Sequence, residues 1–243
     1  MNKIAVIPSR YASTRLNAKA LAMIGDKTLV QRVYEAVSHT GLFDRVIVAT
    51  DHQSIVDEVQ RFGGQVMMTS VTHQSGSDRI AEVCRNIDCD IVVNIQGDEP
   101  FISREPLEAL LSVFEDSQVQ VASLMHSMNL PEDIANPNNV KVIVNQKSDA
   151  IYFSRSVIPY QRNQVEGLKY YKHIGVYAYK KDTLLKFVEL PQSLLEKTES
   201  LEQLRLIDNG ISIRMVESPY QAIGIDTAED LEKARKYVKD ERS

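Results

Sequence analysis

Short β-branched runs that alternate with amphipathic segments constrain the fold of this chain most strongly. The runs begin at Ile4 (IAVI), Val46 (VIVAT), Gln65 (QVMM) and Ile91 (IVVNI). Helical patterns such as LVQRVYEAV and IVDEVQRF lie between them. Runs that are apolar on both faces and separated by amphipathic helices are typical of parallel sheets covered on both sides. The sequence therefore predicts an α/β fold with a mostly parallel central sheet.

The pattern changes from about residue 140 onward. VKVIV and HIGVYAY resemble strands, but the segment between them, which contains YFSRSVIPYQRN, is irregular. A helix is predicted over Thr198–Asn209 and is closed by Gly210, and a last helix begins at DTAED, where Thr227 and Asp230 have the spacing of a capping box. We interpret residues 1–243 as a single domain with an embedded elaboration at about residues 140–200.

Charge and cysteine content exclude several classes of protein. The formal net charge of −5 argues against general nucleic-acid binding, which favours basic proteins. Cys84 and Cys89 are too few for a disulfide framework and lack metal-ligand spacing. The amino terminus has no signal-peptide pattern, and no apolar run approaches the roughly 20 residues of a membrane helix. We therefore expect a cytoplasmic protein without nucleic-acid or membrane partners.

The loop after the first strand, IPSRYASTRLNAK, carries Arg10, Arg15 and Lys19 but no glycine. It therefore matches neither the dinucleotide fingerprint nor the glycine-rich phosphate loop. A solvated surface loop is one interpretation. However, a loop after a buried strand lies at the carboxyl edge of the sheet, where ligands bind. Arginine and lysine side chains in that place favour a polyphosphate ligand.

Two aspartates follow apolar runs in a similar way. Asp98 lies in NIQGDEPFI and Asp226 in IGIDTAEDL. A solvated turn at Asp98 and a helix start at Asp226 are the structural alternatives. Two carboxylates that face one anion-binding loop are also what Mg²⁺ requires when it bridges to phosphate. The sequence therefore predicts a magnesium site formed by Asp98 and Asp226.

Several further polar residues are candidates for binding substrate. In THQSGSDRIAEV they are Gln74, Ser75 and Arg79, although the serine could instead cap the helix that follows. His173 and Tyr177 would share one face of a strand because they are four residues apart. The remaining candidates are Arg155 in YFSRSVIPY and Glu199, Glu202 and Gln203 in ESLEQLRLI. Taken individually, each of these residues is more often structural than functional.

Together these stretches resemble the 3-deoxy-manno-octulosonate (Kdo) cytidylyltransferases, over nearly the whole chain. The stretches that carry the resemblance are, in order, IPSRYASTRL, VATD, HQSGSDR, VNIQGDEPFI, NPNNVKV, YFSRSVIP, HIGVYAY, SLEQLR and GIDTAEDLEKAR. The resemblance implies a Rossmann-like nucleotidyltransferase fold, a homodimer and dependence on Mg²⁺. It also implies coupling of CTP to Kdo with release of diphosphate, which supplies CMP-Kdo for lipopolysaccharide biosynthesis.

The resemblance also implies roles for individual residues. Arg10, Ser13 and Lys19 would hold the triphosphate of CTP, with Arg15 in the same loop. Asp98 and Asp226 would bind magnesium and, with Lys19, form the catalytic set. The sugar pocket would consist of Gln96, Arg155, His173, Tyr177, Glu202 and Gln203.

Two departures from the family pattern stand out, and other activities remain open. Asn17, Ala18, Lys19 and Ala20 replace the usual Pro-Gly-Lys-Pro, and alanine resists the positive φ that glycine allows. Asp78 replaces the usual glutamate.

The alternatives are a cytidylyltransferase for a close analogue such as 8-amino-Kdo and a non-catalytic nucleotide-binding protein on the same fold. The HQSG stretch favours Kdo itself, and the presence of both aspartates argues against a non-catalytic protein.

Overall fold

Contacts between residues divide the chain into two units. The computed structural model describes residues 1–12, 18–220, 224–225 and 227–240. The first unit is Met1–Arg104 with Ala222–Ser243, and the second is Glu105–Gln221. The second unit therefore begins well before the elaboration expected at about residues 140–200. The interpretation of the chain as a single domain stays a prediction.

Strands and helices follow each other along the chain as the β-branched runs and amphipathic segments indicate. The strands are β1 (Lys3–Ser9), β2 (Met23–Ile24), β3 (Lys27–Thr28), β4 (Arg45–Thr50), β5 (Gln65–Met68), β6 (Ile91–Asn94), β7 (Val121–Met128), β8 (Lys141–Val144), β9 (Ala150–Ser154), β10 (Tyr170–Lys180) and β11 (Ile213–Glu217). The α-helices are α1 (Leu29–His39), α2 (Gln53–Arg61), α3 (Gly76–Asn86), α4 (Arg104–Ser112), α5 (Pro131–Ala135), α6 (Lys181–Glu189), α7 (Leu194–Glu199), α8 (Leu204–Asp208) and α9 (Ala228–Asp240).

The first unit contains a parallel sheet in the order β6–β1–β4–β5. Ile4 to Ile7 of β1 are completely buried, so the central strand is covered on both faces, as the apolar run predicts. Because the strands are parallel, the carboxyl ends of β1, β4 and β6 lie at one edge of the sheet. The candidate residues after β1 and β6 are therefore brought to the same edge.

The helices of this unit begin where their sequences indicate. Thr28 caps α1 by accepting a hydrogen bond from Gln31 N, and the helix buries an apolar stripe that includes Val33 and Val37. Thr227 and Asp230 form the predicted capping box at the start of α9. Over the described ranges, none of the helices combines the length and apolarity needed to span a membrane.

The second unit is built around β7. This strand pairs in parallel with β11 and antiparallel with β10. On its other side β10 pairs antiparallel with β8, which pairs with β9. The strands predicted from VKVIV and HIGVYAY are thus confirmed as β8 and β10. A β-bulge interrupts the β7–β10 register between Ile174 and Tyr177.

The single helix predicted over Thr198–Asn209 is wrong. Two short helices, α7 and α8, occupy this region and are separated at Ser200, which has a left-handed backbone with φ 53°. A residue in this conformation ends a helix, and Leu201 N donates to Glu196 O as in a helix C-cap. Gly210 does close α8 as predicted, with φ 71°.

Candidate functional site

A hydrogen bond between Tyr11 and Ala18 holds the two ends of the loop after β1 together. Tyr11 N donates to Asp51 Oδ1 over 3.2 Å, and the Tyr11 ring stacks on His52 with 3.7 Å between centroids. At the other side of the loop Ala18 N donates to Tyr11 O over 3.2 Å. These contacts tie the loop to the carboxyl end of β4. Ser13 and Arg15, both predicted to bind substrate, lie outside the described residues.

Ala18 has a left-handed backbone, with φ 51° and ψ 32°. This is the position at which the resemblance leads us to expect glycine. A side chain in the left-handed region costs about 1–2 kcal/mol because Cβ crowds the backbone. The conformation leads directly into a 3₁₀ turn at Lys19–Leu21, where Leu21 N donates to Ala18 O. The turn that presents Lys19 is therefore kept despite the loss of glycine.

Lys19 contacts the aspartate that follows β6. Its Nζ lies 2.8 Å from Asp98 Oδ2, and both side chains are mostly buried, with 17% and 24% of their surface exposed. The structure therefore brings together the predicted triphosphate lysine and a predicted metal ligand. Arg10 follows β1 as an exposed residue and makes no ion pair with the described residues.

The turn that carries Asp98 is packed against the end of β1. Glu99 N donates to Gln96 O, so the turn predicted from Gln-Gly-Asp-Glu-Pro is present. A Cβ atom added to Gly97 would lie 2.9 Å from Pro8 O. Only glycine allows this close approach. The turn is thus both a structural feature and the support of Asp98.

Asp226, the second predicted metal ligand, lies outside the described residues. Its neighbour Ile225 is described, and Ile225 N donates to Asp98 O over 3.0 Å. The two segments that carry the predicted ligands are therefore adjacent. No cluster of three or more His, Cys, Asp or Glu residues occurs in the described part of the chain. The magnesium site stays a prediction.

The residues of the HQSGSDR stretch make structural contacts. Ser75 Oγ accepts from Asp78 N while Asp78 Oδ2 accepts from Ser75 N, which is a capping box at the start of α3. Asp78 thus serves the cap although it is shorter than the family's usual glutamate. Gln74 Nε2 donates to Thr72 O over 2.9 Å. The capping alternative for Ser75 is confirmed, and substrate binding by Gln74 and Ser75 stays a prediction.

Arg79 is an interior residue, with 1% of its surface exposed. Its Nη2 donates to Asp51 Oδ2 over 2.8 Å, and Nη1 donates to Thr69 Oγ1. Its Nε has no hydrogen-bond partner among the described residues. Asp51 also accepts a hydrogen bond from Tyr11 N, so Arg79 helps to fix the start of the loop after β1 by holding Asp51. The arrangement gives Arg79 a supporting position and little surface with which to contact a substrate.

His173 and Tyr177 lie close together in the second unit, as predicted. Their ring centroids are 5.3 Å apart, although the bulge in β10 lies between them. His173 Nε2 lies 3.2 Å from Ser123 Oγ. Burial lowers the pKa of His173 from 6.5 to about 3, and burial is also the main cause that raises the pKa of Tyr177. Both rings are therefore neutral at neutral pH.

Two buried polar atoms of the predicted sugar set make no hydrogen bond of good geometry with the described residues. They are Tyr177 Oη and Gln203 Nε2, and both residues are 7% exposed. Buried polar groups are nearly always satisfied in proteins. Glu202 precedes Gln203 and lies 3.7 Å from Arg205 Nη2, and Gln96 lies in the first unit in the turn after β6.

Arg155 is held by main-chain carbonyl groups. Its Nε donates to Glu199 O over 2.8 Å and its Nη1 to Pro137 O over 3.1 Å. The Glu199 carboxylate accepts from Arg155 N over 3.0 Å and from Ser154 Oγ over 2.6 Å. Both groups that the guanidinium contacts are neutral carbonyl oxygens.

Lys141 is a supporting residue that the sequence analysis did not predict, whereas Asp51 and Glu199 were noticed in the sequence but were given no role in the site. Asp51 is noticeable in the sequence because it follows β4. Lys141 is also visible, as a lysine within the apolar run VKVIV, and it is completely buried. Its contacts with main-chain carbonyls could not be foreseen, because they depend on packing between distant segments.

The comparisons with known proteins agree with this geometry. The sequence profile of the family described as cytidylyltransferase matches residues 4–213. The chain belongs to the cytidylyltransferase family. The family's members include the 3-deoxy-manno-octulosonate cytidylyltransferase of Flavobacterium johnsoniae, which is 53% identical over 99% of this chain and 100% of its own length. That of Bacteroides thetaiotaomicron is 49% identical over 98% of this chain and 99% of its own.

Solved structures place the chain in the same family. A CMP:2-keto-3-deoxy-manno-octonic acid synthetase complexed with CTP matches with a TM-score of 0.95 and 44% identity, covering 99% of this chain and 100% of its own. A 4-diphosphocytidyl-2C-methyl-D-erythritol synthase from Anaerococcus prevotii matches with a TM-score of 0.66 and 14% identity, over 98% and 99% of the two chains. The second match concerns the fold alone. The predicted α/β nucleotidyltransferase fold is confirmed.

Proposed function

We propose that the chain transfers CMP from CTP to Kdo and releases diphosphate. The full-length likeness to a synthetase complexed with CTP, at a TM-score of 0.95, carries this proposal. The loop after β1 supports it, because it presents Arg10 and Lys19 at the carboxyl edge of the first sheet, where α/β folds bind ligands. CMP-Kdo would be the product, and we propose that it serves lipopolysaccharide biosynthesis in the cytoplasm.

The two cations of the loop would hold the triphosphate. Arg10 is exposed and makes no ion pair with the described residues, so its guanidinium is open to phosphate oxygens. Lys19 would exchange its contact with Asp98 for a phosphate oxygen when CTP binds. Both side chains stabilise the negative charge that grows on the leaving diphosphate, and nucleotidyl transfer depends mainly on such positioning and neutralisation.

The residues present fit the magnesium ion that the family resemblance implies. The Asp98 carboxylate is partly exposed. Asp226 directly follows Ile225 in the chain, and Ile225 N donates a hydrogen bond to Asp98 O. Carboxylate oxygens are the ligands that Mg²⁺ prefers, so Asp98 and Asp226 would hold the ion. When bound, magnesium would neutralise phosphate charge and lower the pKa of the attacking hydroxyl.

The reaction would be an in-line displacement at the α-phosphorus of CTP. The anomeric hydroxyl oxygen of Kdo forms the new bond to phosphorus as the bond to the bridging oxygen of the β-phosphate breaks. The electron pair of that bond leaves with diphosphate, and the proton of the attacking hydroxyl is released to solvent. We assign His173 a hydrogen-bonding role and not that of a base, because an imidazole with a pKa of about 3 accepts protons poorly.

The orphaned polar atoms of the second unit suit a sugar. An unsatisfied buried polar group costs about 1–3 kcal/mol, and sugar hydroxyls both donate and accept hydrogen bonds. Tyr177 Oη and Gln203 Nε2 would gain partners when Kdo binds. Arg155 would receive the sugar carboxylate, since its charge is not neutralised by a carboxylate of the described residues.

We further propose that the protein is a homodimer. Apolar side chains of β9 and of the irregular segment after it are exposed, with Ile151 at 52%, Val157 at 43% and Tyr160 at 86%. A two-fold interface would cover them, and this is the commonest symmetry of homo-oligomers. Sedimentation at micromolar concentration should give the mass of two chains. A monomer mass would exclude the dimer.

The reaction can be tested by measuring diphosphate release with Mg²⁺ and each of the four nucleoside triphosphates. Kdo and 8-amino-Kdo serve as alternative acceptors in parallel reactions. We expect release with CTP and Kdo and little with the other triphosphates. Faster release with 8-amino-Kdo would indicate the analogue-specific enzyme, and no release with any pair would indicate a non-catalytic binding protein.

A further inference from the structure

The main chain on both sides of Arg155 is fixed by two charged side chains. Its N–H donates to Glu199 Oε2 over 3.0 Å, and its carbonyl oxygen accepts from Lys141 Nζ over 2.6 Å. The Glu199 carboxylate also accepts from Ser154 Oγ, so two consecutive residues are bound to it. The backbone that carries the Arg155 side chain is therefore held at two points, and the side chain of the preceding residue is held at a third.

Lysine is an unusual residue to hold main-chain carbonyl groups in the interior of a protein. Lys141 is completely buried, and its Nζ donates to Asn136 O over 3.0 Å as well as to Arg155 O. Burial lowers the pKa of Lys141, while the negative charge of Glu199 raises it. A buried ammonium group is costly unless a counter-charge lies nearby. Glu199 supplies that counter-charge.

The same carboxylate does not neutralise Arg155. The guanidinium binds the carbonyl oxygens of Glu199 and Pro137, and it forms no ion pair with any carboxylate in the described ranges. Of the three charges, the positive charge of Lys141 and the negative charge of Glu199 compensate each other. The remaining positive charge is on Arg155, at a partly exposed position.

We propose that Lys141 and Glu199 are positioning residues that present Arg155 as a fixed, uncompensated receptor for the carboxylate of the sugar acid. The proposal rests on the proposed function, in which Arg155 binds that carboxylate. A guanidinium held in one orientation can form a directed hydrogen-bonded pair with a carboxylate, and less conformational entropy is lost on binding. Lys141 fixes the carbonyl side of the Arg155 backbone, and Glu199 fixes the N–H side.

The test compares steady-state kinetics of Glu199→Gln and Arg155→Ala with those of the natural protein. Glu199→Gln keeps the size of the side chain but removes the charge that compensates Lys141. We expect the KM for Kdo to rise by about tenfold or more, since hydrogen bonds to charged groups are strong. We expect kcat and the KM for CTP to change by less than about twofold, because the binding of one substrate is weakened equally in the ground state and in the transition state.

Asp149→Asn is the matched control. It breaks a partly buried ion pair of the same unit, in which Arg214 Nε lies 2.7 Å from Asp149 Oδ1. We expect a lower Tm for this variant but an unchanged KM for Kdo. An equal rise in this KM in the control would show that general loosening of the unit is the cause, and this would overturn the proposal.

Two further outcomes separate this proposal from the proposed function. If Arg155→Ala leaves the KM for Kdo unchanged, the placement of the sugar carboxylate is wrong and the positioning proposal falls with it. If Arg155→Ala raises the KM and Glu199→Gln does not, only the positioning proposal is overturned. Should Glu199→Gln fail to fold, Lys141→Met/Glu199→Gln removes both the buried charge of Lys141 and its counter-charge and should fold with the same raised KM. A normal KM in that double variant would also overturn the proposal.

Discussion

Lys19 Nζ lies 2.8 Å from Asp98 Oδ2, although 79 positions separate the two residues in the chain. The contact joins the loop after β1 to the turn after β6. The two side chains are 17% and 24% exposed, so the cost of removing their charges from water offsets much of their attraction, and the net contribution of the ion pair to stability is small. If the pair serves the reaction, substitutions should affect turnover far more than folding.

Asp98→Asn is expected to abolish turnover while the fold remains intact. The amide keeps the size of the side chain but removes the charge that would bind Mg²⁺ and pair with Lys19. We expect a loss of diphosphate release by a factor of about 10³ or more, since electrostatic groups at a reacting centre are worth about 3–4 kcal/mol. The Tm should fall by only a few degrees. Near-normal activity at saturating Mg²⁺ would show that Asp98 is not a metal ligand.

Lys19→Ala is expected to impair the use of CTP much more than the use of Kdo. The substitution removes a charge from the triphosphate and none from the sugar. Loss of a hydrogen bond to a charged group is worth about 1.5–3 kcal/mol, which corresponds to about 10- to 150-fold in kcat/KM for CTP. Initial rates with each substrate varied in turn provide the measurement. If only the KM for Kdo rises, the loop binds the sugar acid and our placement of the two substrates is reversed.

Ala18→Gly is expected to stabilise the protein slightly. Relief of the left-handed alanine at φ 51° should gain about 1–2 kcal/mol, and the greater freedom of glycine in the unfolded chain should offset about 0.4–1 kcal/mol. A net gain of about 0.5–1 kcal/mol should appear in urea unfolding. Ala22→Gly is the control, because Ala22 has φ −64° and ψ 134° and gains nothing from glycine. Equal losses of stability in both variants would refute the strain at Ala18.

Stability should fall as the pH is lowered, in part because of His173. Its folded-state pKa of about 3 is below the ordinary value of 6.5, so the unfolded chain binds the proton first. The contribution is intact above pH 6.5 and is lost as the pH falls toward 3, by at most about 1.4 kcal/mol per pH unit. Because the ring is partly exposed, we expect a smaller slope than this limit.

Urea unfolding at pH 7, 6 and 5 provides the measurement for His173. His173→Gln should reduce the dependence on pH. Parallel pH profiles for the natural protein and His173→Gln would show that this histidine is protonated equally in the folded and unfolded chains.

The parallel sheet of the first unit could be predicted because local sequence patterns determine its strands and helices. The runs at β1, β4, β5 and β6 are β-branched and apolar, and parallel pairing follows from their alternation with helices. The helix predicted over Thr198–Asn209 failed because periodicity cannot reveal that Ser200 takes a left-handed backbone. Any residue type with a short polar side chain could continue or end a helix at that point.

The sequence predicted which residues belong to the candidate site better than it predicted the contacts between them. The position of Lys19 and Asp98 after two strands indicated a common edge, but not a direct ion pair. Arg79 belongs to a polar stretch and gives no sign in the sequence that it is buried beside Asp51. Contacts of this kind depend on how distant segments pack, which single-sequence patterns do not report.

The fate of the CTP phosphates tests the account most directly. CTP labelled in the α-phosphate, and separately in the γ-phosphate, is incubated with Kdo, Mg²⁺ and the protein, and the products are separated. The account predicts that the α label appears in a sugar nucleotide and the γ label appears only in diphosphate, in equal amounts. Transfer of the γ label to the sugar, or no labelled sugar product at all, would contradict it.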